Sequence, residues 1–474
     1  MKHALIALCL SGLASCTAVG PDFQSPQIAL STRFAQSPAT APLSAPAHER
    51  WWQALQDPTL DRLVDHGLRQ NLSIQSAMER VREAQTQLKG VGIESLASGS
   101  LSGSHTEFEV GGIDGDRQTG ALGISFLLDL FGRQRRLEQQ ATAQLAAAVS
   151  DVGATRLAYQ SAVVETYLTA RYYQASLRLR ESSIANRRRL VRLVGEKLTA
   201  GEETNVSLRR AEAELTLEQA RLPELASGFE TSAYALATLL AAPGEQVLAE
   251  LQQSYRGQPV PRHAPEPGVP ADLLRNRPDV QAAEHSLAAA VAAVGVSEAA
   301  LYPTLTLEGS VSVTGGTETL QIGPGFSLPV FNRPALKASR DAAYSRARQA
   351  ELAWRETVLS AVEEVQANLS RTRSWARQVQ SLNGAAGKYG EAARLSREVF
   401  DVGALTLIEL VDTEDQLSAA TLQLAEARRI YAISWARLNV ATGRGAAVGG
   451  PIAAEEGVPM TAVVRRQPVQ RAVE

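Results

Sequence analysis

The feature that most constrains this chain is that it repeats itself. Leu128-Asp129-Leu130-Phe131-Gly132-Arg133 returns as Leu328-Pro329-Val330-Phe331-Asn332-Arg333. Glu196 and Gly201 return as Glu398 and Gly403, and Ile74-Gln75 returns as Val280-Gln281. The period is about 200 residues, too long for a solenoid unit. The chain must therefore build one architecture twice, and the two copies must pack on each other.

Each copy reads as a helix, a hairpin, one very long helix and a shorter one. In the first copy, residues 51–245, Trp51-Trp52 and Asp57-Pro58 open the ordered part, with Asp57 suited to cap a helix whose first residue is Pro58. Leu60, Leu63, Val64, Leu68, Ile74, Met78, Val81 and Leu88 then recur at helical spacing, predicting one helix from Thr59 to about Glu94. The period falls to two across Leu122, Ile124, Phe126, Leu128 and Leu130, which alternate with Gly123, Ser125 and Asp129. With the Gly- and Ser-rich residues before them, and Gly111-Gly112-Ile113-Asp114-Gly115-Asp116 as the turn, they predict a hairpin over 97–130. From Arg133 to about Ala200 no proline intervenes, so a helix there would be roughly 100 Å long. A further helix to Leu240 is expected to break near Pro223.

A linker is expected over 246–270, and the second copy occupies 271–442. Its hairpin, 304–330, alternates Leu305, Leu307, Val311 and Val313, turns at Gly315-Gly316, and alternates again through Leu320, Ile322, Phe326, Leu328 and Val330. Long helices are predicted over 334–442, with a break at Gly403. Residues 443–474 lack periodicity and read as a mobile tail.

These elements restrict the assembly. Strands of this length are long enough to cross a bilayer, which takes roughly 9–11 residues. Lipid admits no open strand edge, because each unpaired backbone group there costs several kcal/mol. Four strands cannot close a barrel, so several chains would have to share one; three chains bring 12 strands. In the second long helix Ala343, Ala347, Ala350, Trp354, Val358, Ala361 and Val365 form a seam at intervals of three or four, with Gln, Arg, Glu and Ser elsewhere. That is a coiled-coil seam; a hollow helical cylinder needs one face against each neighbour and a wet face towards the lumen, whereas a plain soluble coiled coil needs only the first.

The N-terminus carries a processing signal. Lys2 and His3 precede an apolar run from Ala4 to Leu10, too short to span a bilayer. Leu13-Ala14-Ser15-Cys16 resembles a bacterial lipobox, so residues 1–15 read as a lipoprotein signal peptide and Cys16 as the lipidated first residue. Thr17, rather than Asp, follows it, which resembles an outer-membrane sorting signal. Residues 16–50, rich in Pro, Ala, Ser and Thr, read as an extended lead from the lipid to the body.

Composition excludes other classes. The net charge of -3 lacks the basic excess of a nucleic-acid binder. The two cysteines, Cys9 and Cys16, leave the body without a disulfide or Cys-based metal site. The histidines (His3, His48, His66, His105, His263 and His285) share no metal-ligand spacing, and no phosphate loop or nucleophile elbow is present. Glu409, Asp412, Glu414 and Asp415 could supply paired carboxylates for acid–base work, the alternative enzymatic reading.

Arg277-Pro278-Asp279-Val280, followed by Ala283-Glu284, the alanines from Ala288, Gly295 and Tyr302-Pro303, leads a helix into a strand. With Trp51-Trp52, Asp57-Pro58 and Phe331-Asn332-Arg333, this run resembles the TolC-type outer-membrane efflux channels, and within them the OprM-like and NodT-like lipoproteins, over residues 16–442. The resemblance implies a mainly α fold with a membrane β-barrel. A homotrimer would share a 12-stranded barrel in the cell outer membrane, four strands per chain, above an α-helical barrel in the periplasm. An equatorial belt would form around residues 223–260 and the C-terminal region. The implied partners are a periplasmic membrane-fusion adaptor, an inner-membrane pump of the RND type, and outer-membrane lipid. The implied role is a passive conduit for drugs or other small solutes, neither an enzyme nor a holder of cofactors. A type I protein-secretion channel and a non-channel periplasmic scaffold or adaptor are the alternatives.

The resemblance also implies a gate. Gly403 to Asp415 matches the family's closing helix end, with Asp412 as the constricting aspartate and Ile408 one turn before it. Asp415 departs from relatives that carry Arg there. Asp412 and Asp415 lie three apart and share a helix face, so three copies would form an acidic ring in which like charges raise each other's pKa and favour cations. Arg210 is the counterpart of Asp412 in the first copy, and an acid of the neighbouring helix is its expected partner.

Overall fold

A computed structural model describes residues 18–34, 42–43, 46–94, 97–262 and 266–447, apart from the side chains of 93–94. The signal peptide 1–15 and Cys16 lie outside the described residues, as do residues 448–474.

The first copy opens with α1 (Pro58–Gln70) and α2 (Leu72–Glu94), the strands β1 (Ala97–Val110) and β2 (Ile113–Leu128), and the 67-residue helix α3 (Arg133–Thr199). It closes with α4 (Asn205–Ala220), α5 (Leu222–Leu240) and α6 (Gly244–Gln253). The second copy comprises α7 (Pro278–Ala299), β3 (Thr304–Thr314), β4 (Thr317–Ser327), the 69-residue helix α8 (Arg333–Asp401) and α9 (Leu407–Ala441). No helix of the described residues is long and apolar enough to cross a membrane.

Five boundaries differ from expectation. The helix expected over 59–94 is two, because Asn71 leaves helical geometry and its side chain accepts from the N–H groups of Ser73 and Ile74, capping α2. The first hairpin turns on Gly111-Gly112 alone and Ile113 already pairs with Val110, so the turn signal there is shorter than its composition suggested. The hairpins end at Leu128 and Ser327, leaving Leu130, Leu328 and Val330 past the strands. The 246–270 linker contains most of α6, whose Val247 and Leu251 are buried. The tail does not begin at 443: residues 443–447 pack on the body, Gly445 N–H donating to the Pro46 carbonyl and Ala447 N–H to that of Ala47.

The four strands form one antiparallel sheet in the order β1-β2-β3-β4, so the two copies join through β2 and β3. Phe126 lies opposite Ala97 and Leu307, and Leu307 lies opposite Pro324. This register aligns Leu101, Leu122, Ile124, Phe126, Leu307, Val311, Leu320, Ile322 and Phe326 on one face, all exposed. The opposite face carries Ser98, Ser100, Ser125 and Ser310 instead. An exposed apolar sheet face of this extent needs a covering medium. The outer edges of β1 and β4 have no partner strand among the described residues.

Below the sheet the helices pack along their lengths. The seam of α8 buries Trp354, Val358, Ala361 and Val365 against Leu273, Val280, Leu438 and Phe34, while Ala347 and Ala350 are half-buried. A second core around Trp51, Trp52, Tyr167, Leu236 and Trp435 gathers α3, α5 and α9. Here Asp57 caps α1, accepting from Thr59 and Leu60 N–H groups, and also accepts from the Tyr167 hydroxyl at 2.5 Å. Burial holds the Tyr167 phenol well above its usual pKa, so it remains a donor. The fully buried Arg171 donates to the Tyr167 hydroxyl, Gln174, Ser254 and the Leu251 carbonyl.

The N-terminal segment is extended, as expected, but it is bound to the body. Val19 N–H donates to the Phe131 carbonyl, and buried Arg136 of α3 donates to the Val19 and Gly20 carbonyls and to Asp22. Ser25 donates to Glu284 of α7, and Phe34 is fully buried between α7 and α8. Residue 18 therefore begins beside the junction of sheet and helices.

Candidate functional site

The family motif sits where α7 begins, and its role is architectural. Pro278 is suited to a first helical position because its missing N–H would have no partner there. Asp279 accepts from both Arg277 nitrogens Nε and Nη2. Arg277 also reaches Glu364 of α8 at 2.6 Å and the Ala441 carbonyl at the end of α9 at 3.0 Å. One guanidinium thus satisfies a helix C-terminus and ties three helices. Val280 is fully buried in the α8 seam.

At the other end of the long helices the two copies turn alike. Gly201 has φ +81° and Gly403 φ +75°, a region that costs a residue with a Cβ, so each long helix stops where glycine stands. Thr204 and Thr406 then cap the returning helices. Thr406 and Glu409 form a reciprocal capping box, and the hydrogen bonds from Thr406 lower the Glu409 carboxyl pKa. Leu407, Leu410 and Val411 bury against Leu190, Val194 and Ala211, with Phe400 between them. Lys197 closes the end of α8 by donating to the Phe400 carbonyl at 3.1 Å, its ammonium 4.6 Å from the centre of that residue's ring.

The sequence-predicted gate residues lie on one exposed flank of α9. Ile408 is 57% exposed and Asp412 is exposed one turn on. Asp412 has no hydrogen-bond or ion-pair partner within the described residues, and neither has Arg210, its counterpart on α4. Asp415 shares the flank but not the role expected of it. It reaches sideways to Arg187 of α3. The Arg187 side chain is only 4% exposed, and Glu214 of α4 lies 3.8 Å from it on the other side. Burial pushes the Asp415 carboxyl up, Arg187 opposes this, and Glu214 and Glu218 add to the rise. An acidic ring would therefore contain one free carboxylate per chain, not two.

Sequence reasoning did not single out Arg187, which stands in the run Arg187-Arg188-Arg189. A signal existed: Ile184, Arg187, Leu190 and Val194 fall on one helical stripe, and all four are buried. Around the junction, Glu218 is held between Arg180 and Arg221, and Arg397 of α8 donates to Glu414 of α9 at 2.8 Å. These links join helix ends to one another; among the described residues no group of three or more His, Cys, Asp or Glu could hold a metal ion.

Comparison with known proteins agrees with this architecture. The model of the outer membrane efflux protein family matches residues 63–242 and 269–444, one segment per copy. Nodulation protein T of Rhizobium leguminosarum bv. trifolii is 34% identical over 451 residues, covering 91% of this chain and 95% of that protein. The pyoverdine export outer membrane protein OpmQ of Pseudomonas putida is 29% identical over 422 residues, covering 82% and 87%. Among solved structures, the outer-membrane channel OprN superposes with a TM-score of 0.82 at 27% identity, over 90% of this chain and 99% of that one.

Proposed function

Since the chain belongs to the outer membrane efflux protein family and resides in the outer membrane, we propose that three copies form a passive conduit of a tripartite efflux system. The observation that carries this reading is the sheet: four strands, two unpaired edges and one exposed apolar face. Three such sheets joined edge to edge give a closed 12-stranded barrel with its apolar face to lipid, the arrangement that leaves no edge in the bilayer. The helices continue the lumen into the periplasm. Cys16, two residues before the segment fastened at Arg136, carries the lipid; that position brings its acyl chains to the membrane the sheet crosses.

The helix turns at Gly201 and Gly403 form the periplasmic entrance. Ile408 and Asp412 line it, and the Asp415–Arg187 pair holds each chain's own α9 against α3. Because Arg210 and Asp412 occupy equivalent positions in the two copies, they alternate around a closed trimeric end. Each is unpaired among the described residues of its own chain, and pairing across the chain boundary satisfies both. An adaptor seats on the exposed apolar side chains near these turns, Val206 and Val402, and an inner-membrane pump supplies the energy. The exported solute belongs to the class of drugs or other small molecules; OpmQ, by its name, exports pyoverdine. Asp412→Ala is expected to raise single-channel leak in a planar bilayer. Unchanged conductance and unchanged ion selectivity would remove the entrance from this reading.

A further inference from the structure

The face of the sheet opposite the apolar band is lined by small hydroxyl and glycine side chains, with one carboxylate among them. Following the register, the inward set runs Ser98, Ser125, Glu308, Gly323 at one level and Ser100, Gly123, Ser310, Gln321 at the next. Among the described strand residues that face carries two ionisable side chains, Glu308 and Arg117. Arg117 pairs with Thr106, beyond the level where β3 ends, and stacks on Phe108 5.6 Å away. The other strand carboxylates, Glu107, Glu109, Asp114, Asp116 and Glu318, fall on the opposite face, beyond its apolar band.

Glu308 is accommodated by its surroundings. The Thr306 hydroxyl donates to it at 3.0 Å. Gly325 on β4 leaves the space its carboxylate occupies; a Cβ there would lie 3.0 Å from Glu308 Oε1 and 2.6 Å from Thr306 Oγ1. An open concavity of about 500 Å³ lies over the same spot, lined by Ser98, Ser125, Glu308, Ser310 and Gln321 among others. The carboxylate thus stands on the concave side, above a floor that offers no compensating cation.

The structure assigns to Glu308 the role of a selectivity residue inside the membrane barrel. This rests on the three-chain barrel proposed above. Three Glu308 carboxylates then ring the lumen at one level, separate from the helix entrance, and favour cationic solutes, such as protonated amines, over anionic ones. At distances of about 7–10 Å from the axis, and with physiological screening, three such charges enrich a monovalent cation roughly two- to threefold, and a divalent cation by the square of that factor.

The test uses the body's lack of cysteine. Ser125, directly opposite Glu308, is replaced by Cys in the full-length membrane-embedded protein, and its modification rate is measured with a cationic trimethylammonium-ethyl and an anionic sulfonato-ethyl methanethiosulfonate. The cation-to-anion rate ratio is expected to fall roughly four- to ninefold when Glu308→Gln is added, because the anion is depleted by the factor that enriches the cation; it should be retained with Glu308→Asp and shift the opposite way with Glu308→Lys, at about 0.1 M salt. Ile124→Cys, on the apolar face, should resist both reagents. If Ser125→Cys is as inaccessible as Ile124→Cys, there is no water-filled lumen, and both the barrel reading and the inference fall. If Ser125→Cys reacts but its ratio ignores the residue at 308, the barrel stands and the role of Glu308 is refuted. Migration of each variant as an unheated trimer on a gel verifies assembly.

Discussion

Asp415→Ala should loosen the periplasmic end more than Arg187→Met, although the two residues are partners. The asymmetry follows from burial. The Arg187 side chain is 4% exposed and that of Asp415 49%. Removing the carboxylate strands a buried guanidinium whose nearest other acid, Glu214, lies 3.8 Å away, beyond hydrogen-bond range. A charged donor left in that state costs roughly 2–3 kcal/mol. Removing the guanidinium leaves a carboxylate that water already reaches, at about 0.5–1 kcal/mol. Methionine also continues the apolar stripe of Ile184, Leu190 and Val194. The difference of about 1.5–2 kcal/mol corresponds to at least tenfold in the local opening equilibrium. Hydrogen exchange of residues 405–420, with leak conductance in parallel, reads this directly. The double variant should sit near Arg187→Met alone, because no buried charge is stranded. Equal effects of the two single variants, or a double variant as loose as their sum, would refute the reasoning.

Three further outcomes are expected. Reversing either charge of the Arg210 and Asp412 set, by Arg210→Asp or Asp412→Arg, should increase leak, and the double exchange should restore it; a double exchange that leaks as much as either single variant would break the inter-chain pairing. Asp57→Ala removes the α1 cap and the acceptor of the buried Tyr167 hydroxyl, and should destabilise the equatorial core by roughly 2–4 kcal/mol, seen as a lower melting temperature. Glu409 has a lowered folded-state pKa, so its stabilising contribution is complete above the ordinary value of 4.5 and is lost as pH falls through the lowered one; amides of the 406–409 turn should exchange faster in Glu409→Gln than in the wild type at neutral pH, and the two should converge at low pH.

Much of this fold was legible because its elements obey short-range rules. Leu122, Ile124, Phe126 and Leu128 recur at every second residue, and the spans that became α3 and α8 contain no proline past their first turn, so strand and helix were readable from spacing. The duplication supplied the rest, since Gly201 and Gly403 mark the same turn in each copy. What escaped depends on distant partners. Asn71 breaks a helix because its side chain captures two N–H groups and donates to the Leu239 carbonyl, contacts no period reveals. Residues 443–447 carry no pattern of their own, yet Gly445 sits against Trp51 and Gln160. At the candidate gate, the face shared by Ile408, Asp412 and Asp415 was readable from spacing. The sideways pairing of Asp415 with Arg187 was not, because it joins residues 228 apart.

The shared barrel is tested most directly by purifying the protein from outer membranes in detergent, then measuring native mass and planar-bilayer conductance on one sample. A particle of three chains, each near the 50.7 kDa of the full sequence, that conducts ions is the predicted result. A monomer without conductance would contradict it, leaving the four-stranded sheet with open edges that no bilayer tolerates.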